Sequence, residues 1–468
     1  MKFKYSLSKL LLICMVFPAM IMSSSCKKYV ELDAPQNKIT ASTAYQTDAS
    51  ATAAVIALYN YGIYGSIVPV QQYISFYGGV SADELHYTLT ATPEINDIEN
   101  NKIAIGSTQI ANFWMYAYAE LLAVNDAITG ITNSTTLTPS VKTQLLGEAK
   151  FFRAFVNFYL VNFYGGVPLT GGVPLTNAYL PRSTADQVWT SVISDLKDAQ
   201  GLLPTAYVGT LRARVNQYAA TALLARAYLY RKDYVNAEAM ATQVINTGTY
   251  TLAPTASAFI NTSNETILQF ATYYGFSSFV QSYRTSTSAV NIAPPTYVLT
   301  SNIANSFEAG DNRKTNWVDS TVSGSKYYRI NKYKVYTGAT AGAGNEFNVV
   351  LRLAEQYLIR AEARAQQGNT SGAAADVNLI RTRAGLANLP ATVASSSTAL
   401  LAAIAQERKM ELFGEYGHRW LDLLRTGQAN AVLSVMKPAT WNATRSVLFP
   451  IPDLQRQQNT TLTQNPGY

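Results

Sequence analysis

Apolar residues recur at three- and four-residue spacing along most of this chain, and that period predicts helices. After Thr47-Asp48, positions Ala53, Ile56, Ala57, Asn60 and Tyr64 fall on one helical face. The pattern returns over 109–131 (QIANFWMYAYAELLAVNDAITGI) and over 139–164, where Gly165-Gly166 supply the stop. Ser183 and Thr184 open another helix that runs to about Leu203 and is closed by Pro204. Between these elements, the Tyr/Gly-rich stretch 71–80 and the polar stretch 88–100 read as surface loops. The hexapeptide GGVPLT occurs at 165–170 and again at 171–176, a duplication tolerated most easily in an exposed loop.

One periodic unit occurs twice. LLARAYLYRKDYVNAEAMATQVI lies within 218–247, and AEQYLIRAEARAQQGNTSGAAADVNLIRTRA occupies 354–384. In each, a small residue, a tight polar turn and a second small residue follow at the same spacing, Ala225 to Ala237 and Ala361 to Ala373. That spacing matches a tetratricopeptide-like helix hairpin, whose small residues let two antiparallel helices approach closely. Between the copies, about 250–349, Ser, Thr, Asn, Gly and Tyr dominate, with short strand-like runs such as ETILQF and KYYRINKYKVY. The predicted fold is therefore mainly α, a tetratricopeptide-like helix-pair scaffold carrying a loop-rich, small-sheet insertion. Loops on a rigid scaffold are where binding residues concentrate.

Composition narrows the function classes. Of 468 residues, 48% are hydrophobic and 14% charged, too apolar for a disordered chain. The net charge of +7 is spread thinly, without the basic stripe a nucleic-acid partner requires. Lys2, Lys4 and Lys9 precede the apolar run 10–22 and the small residues Ser23-Ser24-Ser25, the form of an export signal over 1–25. Cys26 follows directly, and the only other cysteine, Cys14, lies inside the signal. A single mature cysteine at the first position is expected to carry lipid and hold the protein on a membrane.

Seven stretches in chain order carry a resemblance. They are Cys26 with YVELDAP, FWMYAYAELLAVNDAI, GEAKFFRAFVNFYLVNFYGGVPL, LRLAEQYLIRAEARAQQGN with NLIRTRAGL, QERKMELFGEYGHRWLDLLRTG, FPIPDLQRQQN and the terminal QNPGY. Together they resemble the SusD/RagB family of Bacteroidetes outer-membrane lipoproteins. The resemblance implies one helical domain over 26–468, with a tether at 26–40 and helical scaffold at about 41–249 and 350–430. It implies a loop-rich glycan-binding part at about 250–349 and a C-terminal segment at 431–468. It also implies a cell-surface glycan ligand, an outer-membrane anchor through Cys26, and a SusC-like TonB-dependent transporter as partner. Lys27-Lys28 follow the cysteine where some relatives carry acidic export residues.

Chemistry candidates fit binding better than catalysis. Glu407, Arg408, Glu411, Glu415, Arg419, Asp422 and Arg425 form the densest charged cluster. Read as one helix, it pairs Glu415 with Arg419 and Asp422 with Arg425. Interleaved arginines would keep both glutamates ionised and remove the proton donor that a glycosidase needs. His86 and His418 are the only histidines, so neither a zinc cluster nor a hydrolytic triad is supported, and no cofactor or metal is expected. Sugars stack on aromatic rings and hydrogen-bond to planar polar groups. SADELHYT at 81–88 supplies Asp83, Glu84, His86 and Tyr87, and the resemblance places its acid, Asp83, beside the glycan site. Tyr273, Tyr274 and Phe276 in ATYYGFSS, and Trp317 in DNRKTNWVDS, are the further stacking candidates. Trp114, Trp189 and Trp420 fall on apolar helical faces and read as core. A helical glycoside hydrolase, a protein-interaction scaffold and a receptor for peptide-like cargo are the rival readings.

Overall fold

The computed structural model describes residues 43–59, 70–171, 179–272, 275–284, 294–323, 325–335 and 345–468. The main helices are α1 (Asp48–Tyr59), α2 (Val70–Ser81), α3 (Pro93–Glu99), α4 (Thr108–Asn133), α5 (Pro139–Tyr164), α6 (Ala185–Leu202), α7 (Gln217–Tyr230) and α8 (Tyr234–Ile245). After the loop-rich part follow α9 (Leu353–Gln366), α10 (Thr370–Arg383), α11 (Ser397–Leu412), α12 (His418–Arg425) and α13 (Ala429–Met436). Their starts fall on polar caps: Asn216, Asp233, Asn369 and Ser396 each accept a backbone amide of the first turn. Thr184 and Gln187 complete a reciprocal capping box on α6. Gly165, at φ 72°, ends α5 in a conformation other residues avoid.

From α4 to α8 each helix packs on the next, and α8 packs on α9, so the two copies of the repeat lie side by side. Ala225, Ala237, Ala361 and Ala373 are fully buried, as close helix approach requires. Arg226 crosses this interface. Its Nε and Nη2 each lie 2.6 Å from a Glu355 oxygen, and its Nη1 donates to the Tyr159 hydroxyl at 3.0 Å. Trp114, Trp189 and Trp420 are core, as their helical positions predict.

Two small antiparallel sheets sit on this scaffold. The strands are β1 (Leu85–Tyr87), β2 (Thr266–Phe270), β3 (Tyr297–Leu299), β4 (Val318–Ser323), β5 (Ser325–Ile330) and β6 (Asn348–Arg352). One sheet has the order β1-β3-β5-β4, and β2 pairs with β6 in the other. Both β2 and β6 are buried along their whole length, so they belong to the core.

Three local expectations are corrected. Residues 71–80 are not a loop but most of α2, buried except at half-buried Gln72. Gly78 and Gly79 serve close packing there: a Cβ on Gly78 would lie 2.7 Å from the Gly417 Cα, and one on Gly79 would strike Leu85. The stretch 88–100 contains α3, with Pro93 in its first turn, where proline is at home. The charged run 407–425 is not one helix, because Gly414 (φ 70°), Tyr416 (φ 42°) and Gly417 (φ 66°) turn the chain between α11 and α12. Glu415 therefore pairs with Lys332 and Arg352, at 2.5 and 2.8 Å, and Arg419 with Asp83 at 2.7 Å. The expected Asp422–Arg425 pair is present at 2.7 Å.

Glu120 is the odd member of the core face of α4. It is 7% exposed, and burial alone pushes its carboxyl up to about 8. No described side chain neutralises it through a hydrogen bond or ion pair.

Two predictions follow from this packing. Gly78→Ala should lower the melting temperature, equivalent to about 1–3 kcal/mol of overpacking. Gly201→Ala, in α6 with nothing within 4 Å of the added methyl, should raise it slightly; equal effects would refute the close-approach account. Unfolded, Glu120 ionises near 4.5, and folded near 8, so its contribution to stability falls as pH rises through that window. Glu120→Gln should thus match the wild type at pH ~4 and exceed it by a few kcal/mol, to order of magnitude, at pH 7–8. Parallel melting-temperature profiles across that range would contradict it.

Candidate functional site

The two sides of the SADELHYT segment do different things. Asp83 turns inward and is 4% exposed. Arg419 donates to its two oxygens at 2.7 and 3.1 Å, and the Asn302 amide at 2.9 Å. Burial opposes its charge, but Arg419 outweighs it and holds the carboxyl below its usual range. With both oxygens engaged, Asp83 acts as a tie between the chain before β1 and α12. His86 faces outward, its Nδ1 2.8 Å from Glu99 Oε1, and that hydrogen bond raises the imidazole. Glu99 Oε2 accepts the Tyr87 amide at 3.0 Å, so one carboxylate clamps β1 onto α3. The Tyr87 ring is buried beside Tyr297, which stacks on Phe76 of α2 at 4.4 Å. Tyr87 is thus core, a correction to its reading as a platform.

Trp317 requires the larger correction. It is 0% exposed, and its indole N–H donates to the Thr255 carbonyl at 2.6 Å. Lys332 lies 4.7 Å from the centre of its ring and Arg383 5.3 Å. Its ring is a wall of the central charge cluster and has no face free for a sugar. The polar letters around it misled, because Asn312, Arg313 and Asn316 form one short helix with it, and Arg313 too is buried.

Phe276 is half-buried and packs against the main core. Tyr273 and Tyr274 lie outside the described residues. The described chain just after them, 275–278, is fixed to the start of α2, to Glu346 just before β6 and to β6 itself. Gln72 donates to the Ser278 carbonyl at 3.1 Å, and Asn348 Oδ1 accepts from the Ser277 hydroxyl and the Ser278 amide at 2.7 and 3.0 Å. Asn348 Nδ2 reaches Gln71 at 3.3 Å, and the Glu346 amide donates to the Gly275 carbonyl at 2.9 Å. Beside the same helix, Tyr73 stacks on Phe113 at 5.7 Å and on Tyr116 at 6.0 Å, and Tyr116 is half-buried. Tyr73 of α2 and Tyr116 thus stack, and Phe276 lies two residues before the Ser278 that Gln72 of α2 holds, while Asp83 and Trp317 belong to the scaffold.

Sequence reasoning missed Gln71, Gln72 and Asn348, which hold this rim together. Their signal was faint: a Gln-Gln pair opening a segment mistaken for a loop, and one amide at the start of β6.

The charged cluster behind the rim offers no acid catalyst in its glutamate pair. Arg352 contacts Glu411 at 2.5 Å and Glu415 at 2.8 Å, and Arg383 also bonds to Glu411. Burial opposes both negative charges, yet the surrounding cations hold both carboxyls below their usual range. His418 is packed and buried, and burial keeps its imidazole neutral.

Comparison with known proteins agrees with this architecture. Residues 276–468 match the model described as the SusD family, and residues 41–229 match one described as "Starch-binding associating with outer membrane". A SusD-like protein of Formosa agariphila is 25% identical, the alignment covering 95% of this chain and 96% of that one. Among solved structures, a SusD superfamily protein from Bacteroides vulgatus superposes with a TM-score of 0.77 at 18% identity, covering 90% of this chain and 99% of that one. A structure titled "Laminarin binding SusD-like protein" gives 0.73 at 25% identity, covering 91% and 100%. The surface glycan-binding protein A of Bacteroides thetaiotaomicron, solved with laminarihexaose, gives 0.74 at 20% identity over 90% and 99%. With matched family models at both ends of the chain and a shared helical fold between them, the protein belongs to the SusD/RagB family.

Proposed function

We propose that this protein is a cell-surface glycan-binding lipoprotein that captures an oligosaccharide without cleaving it and passes it to a SusC-like TonB-dependent transporter. The observation that carries this reading is the loop around Phe276, anchored by Gln72 and Asn348 to rigid elements. A rigid mount lets aromatic rings meet a sugar face with little ordering cost. Family membership and the glycan named in two structural neighbours support carbohydrate as the cargo.

In this reading Tyr273, Tyr274 and Phe276 stack on the sugar, and outward-facing His86 contributes a polar contact. Asp83, Tyr87 and Trp317 have other work, as their burial shows. The residues form a single domain over 26–468 behind an export signal, with Cys26 carrying lipid at the outer membrane. No helix among the described residues is long and apolar enough to cross a membrane. Modest affinity suits a protein that must release its cargo, in the micromolar to millimolar range, about 4–8 kcal/mol.

The test uses residues 27–468 titrated calorimetrically with laminarihexaose and with a starch-derived oligosaccharide. Tyr273→Ala, Tyr274→Ala or Phe276→Ala should weaken binding by roughly tenfold or more, the order of one stacking contact with its buried area. The Tyr273 and Tyr274 variants should leave the melting temperature nearly unchanged. Trp317→Ala should do the reverse, lowering stability by about 3–5 kcal/mol. Loss of stability without loss of affinity in all three loop variants would remove the loop from the site.

A further inference from the structure

Behind the Asp83–Arg419 tie lies a cavity of about 10 Å³, lined by Glu84, Arg408, Lys409, Phe413, Arg419 and Asp422 among others. Glu84 and Arg408 are each 1% exposed. Glu84 Oε1 accepts the Gly414 amide at 3.0 Å, while Oε2 has no hydrogen-bond partner. Arg408 donates through Nε and Nη2 to Asp422 at 2.8 and 3.0 Å, while Nη1 has no partner. One buried acceptor and one buried donor thus border the same small space, each too costly to leave unmade.

We infer that this cavity is a binding site for one ordered water molecule that accepts from Arg408 Nη1 and donates to Glu84 Oε2. The volume is on the scale of a single water. Chemistry selects the same occupant. An anion would suit Arg408 but face the Glu84 carboxylate, and a cation would suit Glu84 but face the guanidinium. A neutral molecule that both donates and accepts satisfies the two at once.

The surrounding charges agree with this bridge. Asp83 is taken up by Arg419, and Asp422 by Arg408 and Arg425. Lys409 donates to the Ser306 hydroxyl at 3.0 Å and to no carboxylate among the described residues. Burial pushes the Glu84 carboxyl up to about 7, so it stands poised near neutrality, and hydration favours its charged form. The bridge joins the chain leading into β1, which carries His86, to α11.

A crystal structure of residues 27–468 at a resolution that shows ordered water tests this. The expected result is one peak within about 2.7–3.2 Å of both Glu84 Oε2 and Arg408 Nη1. Direct contact between the two side chains, or no density between them, overturns the inference. A bromide soak separates water from an anion: an anomalous peak in the cavity overturns it as well. Glu84→Gln keeps the shape and should retain the peak, its amide donating to the water. Glu84→Met should lose it, and a persisting peak there contradicts the role given to Glu84. If the Met variant fails to fold, the wild-type and Gln structures still decide.

Discussion

Arg352 is 2% exposed and bonded to three carboxylates at once, Glu265 at 2.9 Å, Glu411 at 2.5 Å and Glu415 at 2.8 Å. Around this knot Arg313 binds Asp311, Glu407 and Glu411, and Arg383 binds Glu265 and Glu411. Lys332 donates to Glu415 and to the Glu411 carbonyl, with the Phe413 and Trp317 rings 4.2 and 4.7 Å from its ammonium. Taking so many charges out of water costs several kcal/mol per ion unless every partner is in place. Such a network adds little net stability. It makes misplacement expensive, because removing one partner strands the others. Its members come from the approach to β2, the ends of β5 and β6, α10, α11 and the turn before α12. The knot therefore fixes the loop-rich insertion on the scaffold, and the rim around α2 inherits that rigidity.

The helical scaffold was legible because burial imposes a period on sequence. In α4, α5, α7 and α8 the apolar residues repeat at helical spacing, and the start of α6 was visible in Ser183 and Thr184, the latter being the cap the structure shows. The two alanine pairs of the repeat announced close helix packing, and the structure brings those hairpins together across more than a hundred residues of intervening chain. What failed to show was structure whose reason lies in distant contacts. The glycines of α2 look like loop residues until Gly417 and Leu85 are seen against them. The break between α11 and α12 was concealed by charges that fit a helical period. Only the positive φ of Gly414 and Gly417 reveals that Glu415 and Arg419 point to different partners.

The same limit governs the site. Sequence reasoning took polar surroundings as a sign of exposure, and for His86 that held. For Trp317 and Asp83 it did not: Trp317 and Arg313 turn inward from a short helix whose other polar residues face out, and Asp83 is taken up by Arg419. A buried ion network writes surface-like letters into the core. Tyr273 and Tyr274 lie outside the described residues, and what the structure adds for this segment is that Ser278, just after it, is fastened to α2 and β6 by the side-chain amides of Gln72 and Asn348.

The central claim, that a rigid helical scaffold presents a sugar-binding loop and performs no chemistry, is tested most directly by a glycan panel. Folded residues 27–468 would be screened against soluble polysaccharides and their oligosaccharides, with product analysis on the same samples. Saturable binding to one polysaccharide class, with every chain recovered at its original length, is the predicted result. Shortened chains, in a preparation whose cleavage disappears with one carboxylate substitution, would contradict the account. So would a folded protein that binds no glycan on the panel.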